Sequence, residues 1–215
     1  MRQYRPFFLI RKIFTKAIFR IPTDEKLLCL TFDDGPHPDS TVAILDILDK
    51  YQVKATFFLT GANAVKYPGV KDMITAAGHM TGNHGYRHIS GWKTSSSRYA
   101  DNVSRAAGPV PSRFYRPPYG RLTLRQYNQL IREYIVVFWD LMPYDFSGSQ
   151  SAAKCLSILR KRIRPGSIIV LHDSPDSKVT GFLAEFIEYA SGEGYRFVTI
   201  DHAMPGTGML RKTTC

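Results

Sequence analysis

Leu27-Leu28-Cys29-Leu30-Thr31-Phe32-Asp33-Asp34-Gly35-Pro36-His37-Pro38 drives an apolar run into two consecutive carboxylates and then into a glycine and a proline. The run reads as a buried strand, because Gly35 and Pro36 turn the backbone just where the apolar residues end. Successive side chains on a strand point to opposite faces, so Asp33 and Asp34 share one site only if the chain leaves extended geometry between them. Gly35 is the residue read as permitting that step. Alone, an Asp-Asp-Gly-Pro sequence is an ordinary surface turn; its weight comes from what recurs along the chain.

What recurs is alternation of strand and helix. Helices are predicted over 41–51, 70–77, 95–107, 122–133, 151–164 and 181–190, and strands over 55–61, 79–85, 113–115, 134–140, 167–172 and 196–200. The stretch Ile168-Ile169-Val170-Leu171 is apolar on both faces, as parallel strands covered by helices are. With 215 residues, no internal repeat and no linker-like tract, one α/β domain built on a parallel sheet is the reading. Asp33-Asp34, His84, Arg116, Asp145 and His172-Asp173 each fall at or just after the C-terminal end of a predicted strand. In a barrel those ends converge on the face that carries chemistry.

Composition sets the outer bounds. Hydrophobic residues make up 44% and charged residues 22% of the chain, which excludes a disordered protein. The net charge of +11 favours approach to anionic polymers or membrane surfaces, or is simply a solvated basic surface. Cys29, Cys155 and Cys215 are odd in number and far apart, so they form neither a disulfide framework nor a CxxC metal site.

The first 22 residues are set apart as a basic segment from the domain spanning 23–215. They carry Arg2, Arg5, Arg11, Lys12, Lys16 and Arg20 and no acid, and their longest apolar run is only Phe7 to Ile10. A secretory signal needs an apolar core of roughly 7 to 15 residues and a transmembrane helix about 20, so neither is read here. That favours a cytoplasmic or membrane-peripheral location. Phe7, Ile10, Phe14 and Ile18 recur at helical spacing opposite Lys12, Lys16 and Arg20, which predicts a basic amphipathic helix. Such a helix packs against a barrel or lies on an anionic membrane; packing is the preferred reading and peripheral membrane contact the alternative.

His84 and His88 stand in an H-x3-H spacing that is weak evidence alone. Joined by Asp34 from another strand end, they make a two-histidine, one-carboxylate set that suits zinc and its first-row neighbours cobalt, nickel and manganese. Such an ion acidifies its bound water and polarises a carbonyl, as hydrolysis of an amide or ester requires. Asp33, beside the ligand but not consumed by it, is the candidate base, and His172 the candidate acid. Arg116 is placed to hold Asp33 ionised. Pro117 and Pro118 give up two backbone donors, so the N–H of Tyr119 is the next available to an oxyanion.

Taken in order and at these separations, TFDDGPHP, H-x3-H, RPPYG and LHD resemble the polysaccharide deacetylases of the NodB-homology type, from about Leu27 to Ile200. The resemblance implies a single-domain distorted (β/α)7 barrel and metal-dependent removal of acetyl groups from a polysaccharide partner rather than a nucleic acid, with peptidoglycan or chitin-like glycans foremost. It implies Asp34, His84 and His88 as metal ligands, Asp33 as base, His172 as acid, Arg116 as tuner of the base and Tyr119 as oxyanion donor. Asp145 then orients and charges His172, while Phe146 and Leu171 line an apolar slot for the acetyl methyl. Three positions depart from the family: Gly85 replaces the Ser or Thr that follows the first histidine, and Met142 and Phe146 replace the Asp and Trp of the fourth motif. The family chemistry also suggests the cell envelope. A non-catalytic glycan- or membrane-binding barrel and a small-molecule amidohydrolase of related fold are the alternatives.

Overall fold

Seven short strands, all paired in parallel, form the core of the computed structural model, which describes residues 3–204. The strands are β1 (Leu27–Asp33), β2 (Thr56–Leu59), β3 (Met80–Asn83), β4 (Phe114–Tyr115), β5 (Ile135–Val136), β6 (Ser167–His172) and β7 (Arg196–Phe197). The helices are α1 (Phe8–Ile13), α2 (Ser40–Lys50), α3 (Gly61–Lys66), α4 (Pro68–Ala76), α5 (Ser96–Ala106), α6 (Leu124–Leu130), α7 (Ala152–Arg162), α8 (Leu183–Gly192) and α9 (Ile200–Ala203). Local chemistry sets several helix starts. Ser95 and Ser151 accept from the backbone N–H groups of Arg98 and Lys154, and Thr123 with Gln126 forms a reciprocal capping box.

The sheet runs β5-β4-β3-β2-β1-β6, and β1 is its centre. One flank of β1 is taken by β6, in register from Leu28 with Ser167 to Asp33 with His172, while β2 and β7 share the other flank. That register puts the end of β1 beside the end of β6, so two of the predicted site elements meet through backbone pairing alone. The curve is closed irregularly between β5 and β6. Leu141 bridges Ile169, and the N-terminal segment fills the gap, with Ile18 bridging Val137 and Arg20 pairing antiparallel with Ser167.

Side chains alternate across this wall. Leu28, Leu30, Phe32, Phe57, Leu59, Ile169 and Leu171 pack outward into the core shared with the covering helices. Cys29, Phe58, Phe114, Val137, Ile168, Ile21 and Ile200 form a separate apolar plug inside the curve. This parallel α/β half-barrel agrees with the single-domain distorted (β/α)7 barrel that the motif set implied, and Cys29 and Cys155 are buried free thiols within it. Cys215, Arg2 and the rest of both termini lie outside the described residues.

Three elements differ from the sequence reading. Gly61–Lys66 is a helix that begins at the last residue of the predicted strand 55–61 and fills a stretch with no predicted element, and the predicted strand over 196–200 is cut short by α9. The N-terminal segment is not one amphipathic helix: α1 ends at Ile13, and the chain then extends to make its two sheet bridges. Phe14 and Phe19 are buried, whereas Phe7 stays exposed, so helical spacing over Phe7 to Ile18 did not identify the buried face. Packing of this segment against the barrel is nevertheless what is observed.

An ionic clasp fixes the segment. Asp140, fully buried, accepts hydrogen bonds from Ser167 Oγ at 2.8 Å, Arg164 Nε at 3.0 Å and Arg11 Nη2 at 3.1 Å, with Arg5 Nη2 at 3.6 Å. Burial pushes this carboxyl up, but Arg164, Ser167 and Arg5 together hold it below its ordinary value. Because the folded value is depressed, the clasp stabilises at pH above the ordinary carboxylate value and loses that contribution as pH falls through the folded one. Asp140→Ala removes the shared partner of three arginines that are each partly open to solvent, and is expected to cost about 1–3 kcal/mol. Urea unfolding checks this; a midpoint equal to that of the parent chain would show that the clasp is energetically idle.

Candidate active site

Inside the half-barrel, above the apolar plug, lies a fully buried arginine. Arg116, directly after β4, has its guanidinium 4.1 Å from the Phe58 ring centroid and donates to Thr31 Oγ1 at 2.6 Å, Asp33 Oδ1 at 2.7 Å, Phe138 O at 3.0 Å and Val137 O at 3.4 Å. A buried charge of this kind persists only when paired and fully hydrogen-bonded, and Asp33 supplies the counter-charge. Burial pushes Arg116 down from its ordinary value and Asp33 opposes that shift. The consequence is a carboxylate fixed at the mouth of the half-barrel, only 5% exposed.

Asp34 reaches the same mouth by a different device from the one expected. The left-handed step is taken by Asp34 itself, at φ 84°, while Gly35 does not have positive φ. Gly35 is needed for another reason: a Cβ there would fall on the carboxylate of Asp173. Asn63, on the unpredicted helix α3, donates to Asp34 O at 2.8 Å and helps hold the strained residue. Asp34, Tyr119 and Tyr144, three of the four described non-glycine residues with positive φ, all line one cavity of about 550 Å³. Strain of this kind collects where function over-determines the backbone.

His84 and His88 complete a cluster with Asp34 in which one ligand atom from each lies within 4.8 Å of the others. Their Nε2 atoms stand 3.6 and 3.3 Å from Asp34 Oδ1. His84 Nδ1 contacts Arg116 O at 2.8 Å, a partner that only accepts, so Nδ1 carries the proton and Nε2 presents a lone pair to the cluster. Burial, followed by the neighbouring His88, pushes His84 down to about 3, so it is neutral at physiological pH. Asp34 Oδ1 is buried with no hydrogen-bond partner. An unpartnered carboxylate oxygen meeting the His84 lone pair and the His88 ring makes a site that a cation would satisfy, and the donor set fits a divalent first-row ion.

The substituted position in the histidine loop is accommodated by the backbone. Gly85 adopts φ 79°, and a Cβ there would lie 2.6 Å from Asn102 Nδ2. In place of a hydroxyl, Asn83 Oδ1 accepts from Gly85 N at 2.7 Å, and Asn102 clamps both backbone groups of Arg87 at 2.9 Å.

His172 faces the cluster from β6. Asp145, fully buried, accepts from its backbone N–H at 2.8 Å and contacts Nδ1 at 3.0 Å, while Ser177 Oγ donates to the same carboxylate at 2.7 Å. Burial disfavours the imidazolium, but Asp145, then Asp33 and Asp34, raise its pKa to about 9. The altered fourth motif thus still brings Asp145 onto the histidine. Phe146 packs edge-on to the His172 ring at 4.5 Å and lines the cavity, as does the exposed Tyr119, whose ring sits 4.3 Å from that of His88.

Leu171 is the residue that the structure removes from the list. It is fully buried in the outer core, because it alternates with Val170 and His172, which face the cavity. Trp139 and Tyr144 join Val170 as cavity walls that sequence reading did not single out, and Met142, read only as a departure in the fourth motif, lines the cavity with them. Asp173, placed at a strand end by the sequence but given no role there, is built into the site. Its N–H donates to Asp33 O at 3.1 Å, its Oδ2 accepts from Thr41 at 2.7 Å, and burial with the adjacent Asp34 raises it to about 7. The aspartate of the LHD motif was the available signal.

A half-barrel with a metal-type cluster and a separate ion-paired carboxylate at its strand ends defines a hydrolase class. Within that class, residues 20–139 match the family model described as polysaccharide deacetylase. The chain is 34% identical over 193 residues to a peptidoglycan-N-acetylglucosamine deacetylase of Bacillus cereus, covering 85% of this chain and 70% of the relative. It is 32% identical over 162 residues to a chitooligosaccharide deacetylase of Azorhizobium caulinodans, covering 72% and 77% respectively. A crystal structure of a peptidoglycan N-acetylglucosamine deacetylase in complex with an N-oxidanyl-benzamide superposes with a TM-score of 0.85 at 30% identity, over 93% of this chain and 97% of that one. The chain belongs to the polysaccharide deacetylase family, and that membership makes it a deacetylase-type hydrolase. The family and fold implied by the motifs are thereby established. No helix among the described residues is long and apolar enough to cross a membrane.

Proposed function

We propose that this chain removes N-acetyl groups from amino-sugar glycans, with peptidoglycan or chitin-like chains as substrates and zinc, or else cobalt, nickel or manganese, held by Asp34, His84 and His88. The observation that carries the reading is the convergence of Asp34, His84 and His88 on one point beside Asp33, with Asp34 Oδ1 buried without a hydrogen-bond partner and His172 entering the same cavity from another strand. The ion supplies an acidified water and a polarised acetyl carbonyl.

The chain's own residues do the rest. Asp33 takes the proton of the attacking water; one of its oxygens accepts from Arg116, which keeps the carboxylate aimed. The backbone N–H of Tyr119, first after two prolines, donates to the developing oxyanion. His172, charged at neutral pH, gives its proton to the departing amine, and Asp145 holds the ring for that transfer. Phe146, Val170 and Trp139 supply apolar surface for the acetyl methyl. The similarity to relatives named for peptidoglycan and chitooligosaccharide deacetylation supports this substrate class.

Acetate release from N-acetylglucosamine oligomers is expected to vanish after thorough chelation and to return when zinc or cobalt is restored. Undiminished release from metal-stripped protein would sink the mechanism.

A further inference from the structure

We propose that the outward face of the N-terminal segment docks on an anionic lipid bilayer. Phe7, Phe8, Leu9 and Ile13 are 64%, 68%, 68% and 51% exposed, an unusual run of large apolar side chains left in water within seven residues. The segment cannot roll to hide them. Arg5 and Arg11 are held by the buried Asp140, Phe14 and Phe19 are locked in the core, and Ile18 and Arg20 are paired to the sheet. The apolar face is therefore presented by the fold.

Charge selects the occupant. Lys12 and Lys16 are exposed, with Lys12 Nζ 4.8 Å from the Phe8 ring, and no acid occurs before Asp24. A second copy laid on this patch would bring like charges together in a chain whose net charge is already +11. Anionic headgroups complement the lysines while the aromatic and aliphatic side chains enter the acyl boundary. The segment is also bonded to the wall of the catalytic cavity: Tyr144 Oη donates to Gln3 O at 2.8 Å, Met142 N donates to Tyr4 O at 2.9 Å, and the Tyr4 and Tyr144 rings meet edge-on at 6.1 Å. Docking by this face therefore fixes the orientation of the cavity to the membrane plane.

The test is co-sedimentation of the full chain with mixed phosphatidylcholine–phosphatidylglycerol vesicles and with pure phosphatidylcholine vesicles. The expected result is binding to the anionic vesicles at least about tenfold stronger than to neutral ones, weakened by salt. The triple variant Phe7→Ser, Phe8→Ser, Leu9→Ser, and separately Lys12→Gln with Lys16→Gln, should each bind at least about tenfold more weakly. Release of acetate from soluble oligomers should be unchanged in both, which shows that the variants fold and keeps this outcome distinct from failure of the deacetylase reading. No binding by the parent chain, or equal binding by the triple variant, overturns the proposal. So does a dimer seen by light scattering that the triple variant abolishes while vesicles are ignored.

Discussion

Asp33→Asn is expected to lower deacetylation by about a thousandfold while leaving zinc affinity within a few-fold of the parent protein. The size follows from what general-base removal costs, roughly 10²–10⁴-fold, taken with loss of the negative charge that faces the attacking water. The amide keeps an oxygen to accept from Arg116 and the shape of the side chain, so the lesion is confined to the proton acceptor. The metal-ligand cluster should be spared because Asp34, His84 and His88 make their own arrangement and Asp33 is not among them. Two measurements separate the roles: initial rates of acetate release, and zinc titration by calorimetry. His84→Ala should give the complementary result, with both affinity and rate lost, since it removes a ligand whose lone pair is pre-aimed by Arg116 O. Retained activity in Asp33→Asn would assign the base elsewhere. Loss of zinc binding in that variant would mean that the two neighbouring aspartates act as one unit.

That Asp33 and Asp34 meet at one site was legible in sequence because an apolar strand, a turn signal and later polar strand ends all constrain it; the structure sets Asp33 on Arg116 and Asp34 beside His84 and His88. β6 was also legible to the residue, since a wholly apolar run closed by His172 and Asp173 admits few boundaries. What failed did so for identifiable reasons. Leu171 was assigned to the cavity although period-two alternation excludes it once His172 faces inward; Val170 was the residue that this rule selects. The helix Gly61–Lys66 has no side-chain cap and only two buried residues, so nothing local announces it. Its role, holding Asp34 through Asn63, exists only in three dimensions. The N-terminal segment was misjudged because sheet pairing and the Asp140 clasp override helical periodicity, and neither has a sequence signature. Asn83 and Asn102 show the same limit: they replace a missing hydroxyl by geometry that no spacing rule describes.

Asp145→Asn should convert a broad alkaline plateau into an early decline. In the parent protein the pKa of His172 stands at about 9, so the acid is protonated throughout the neutral range and the rate should fall only as pH rises past that value. Burial works against the imidazolium, and Asp145 is the strongest of the groups that oppose it, through both its charge and its contact with Nδ1. With a neutral amide in that place, burial prevails over the weaker pushes of Asp33 and Asp34, and the alkaline limb should move below the ordinary histidine value of 6.5. At pH 8 the expected loss is roughly tenfold to a hundredfold in kcat, shrinking as the assay is made more acidic. Stability should move with the same sign. A folded pKa raised above the unfolded one stabilises fully below about 6.5 and loses that contribution as pH rises through about 9. Urea unfolding of parent and variant should therefore differ most at low pH and converge above 9. A pH–rate profile whose alkaline limb does not shift would show that His172 is not the proton donor. A shifted limb without the matching change in unfolding would instead place the titrating group on a different residue that contacts Asp145.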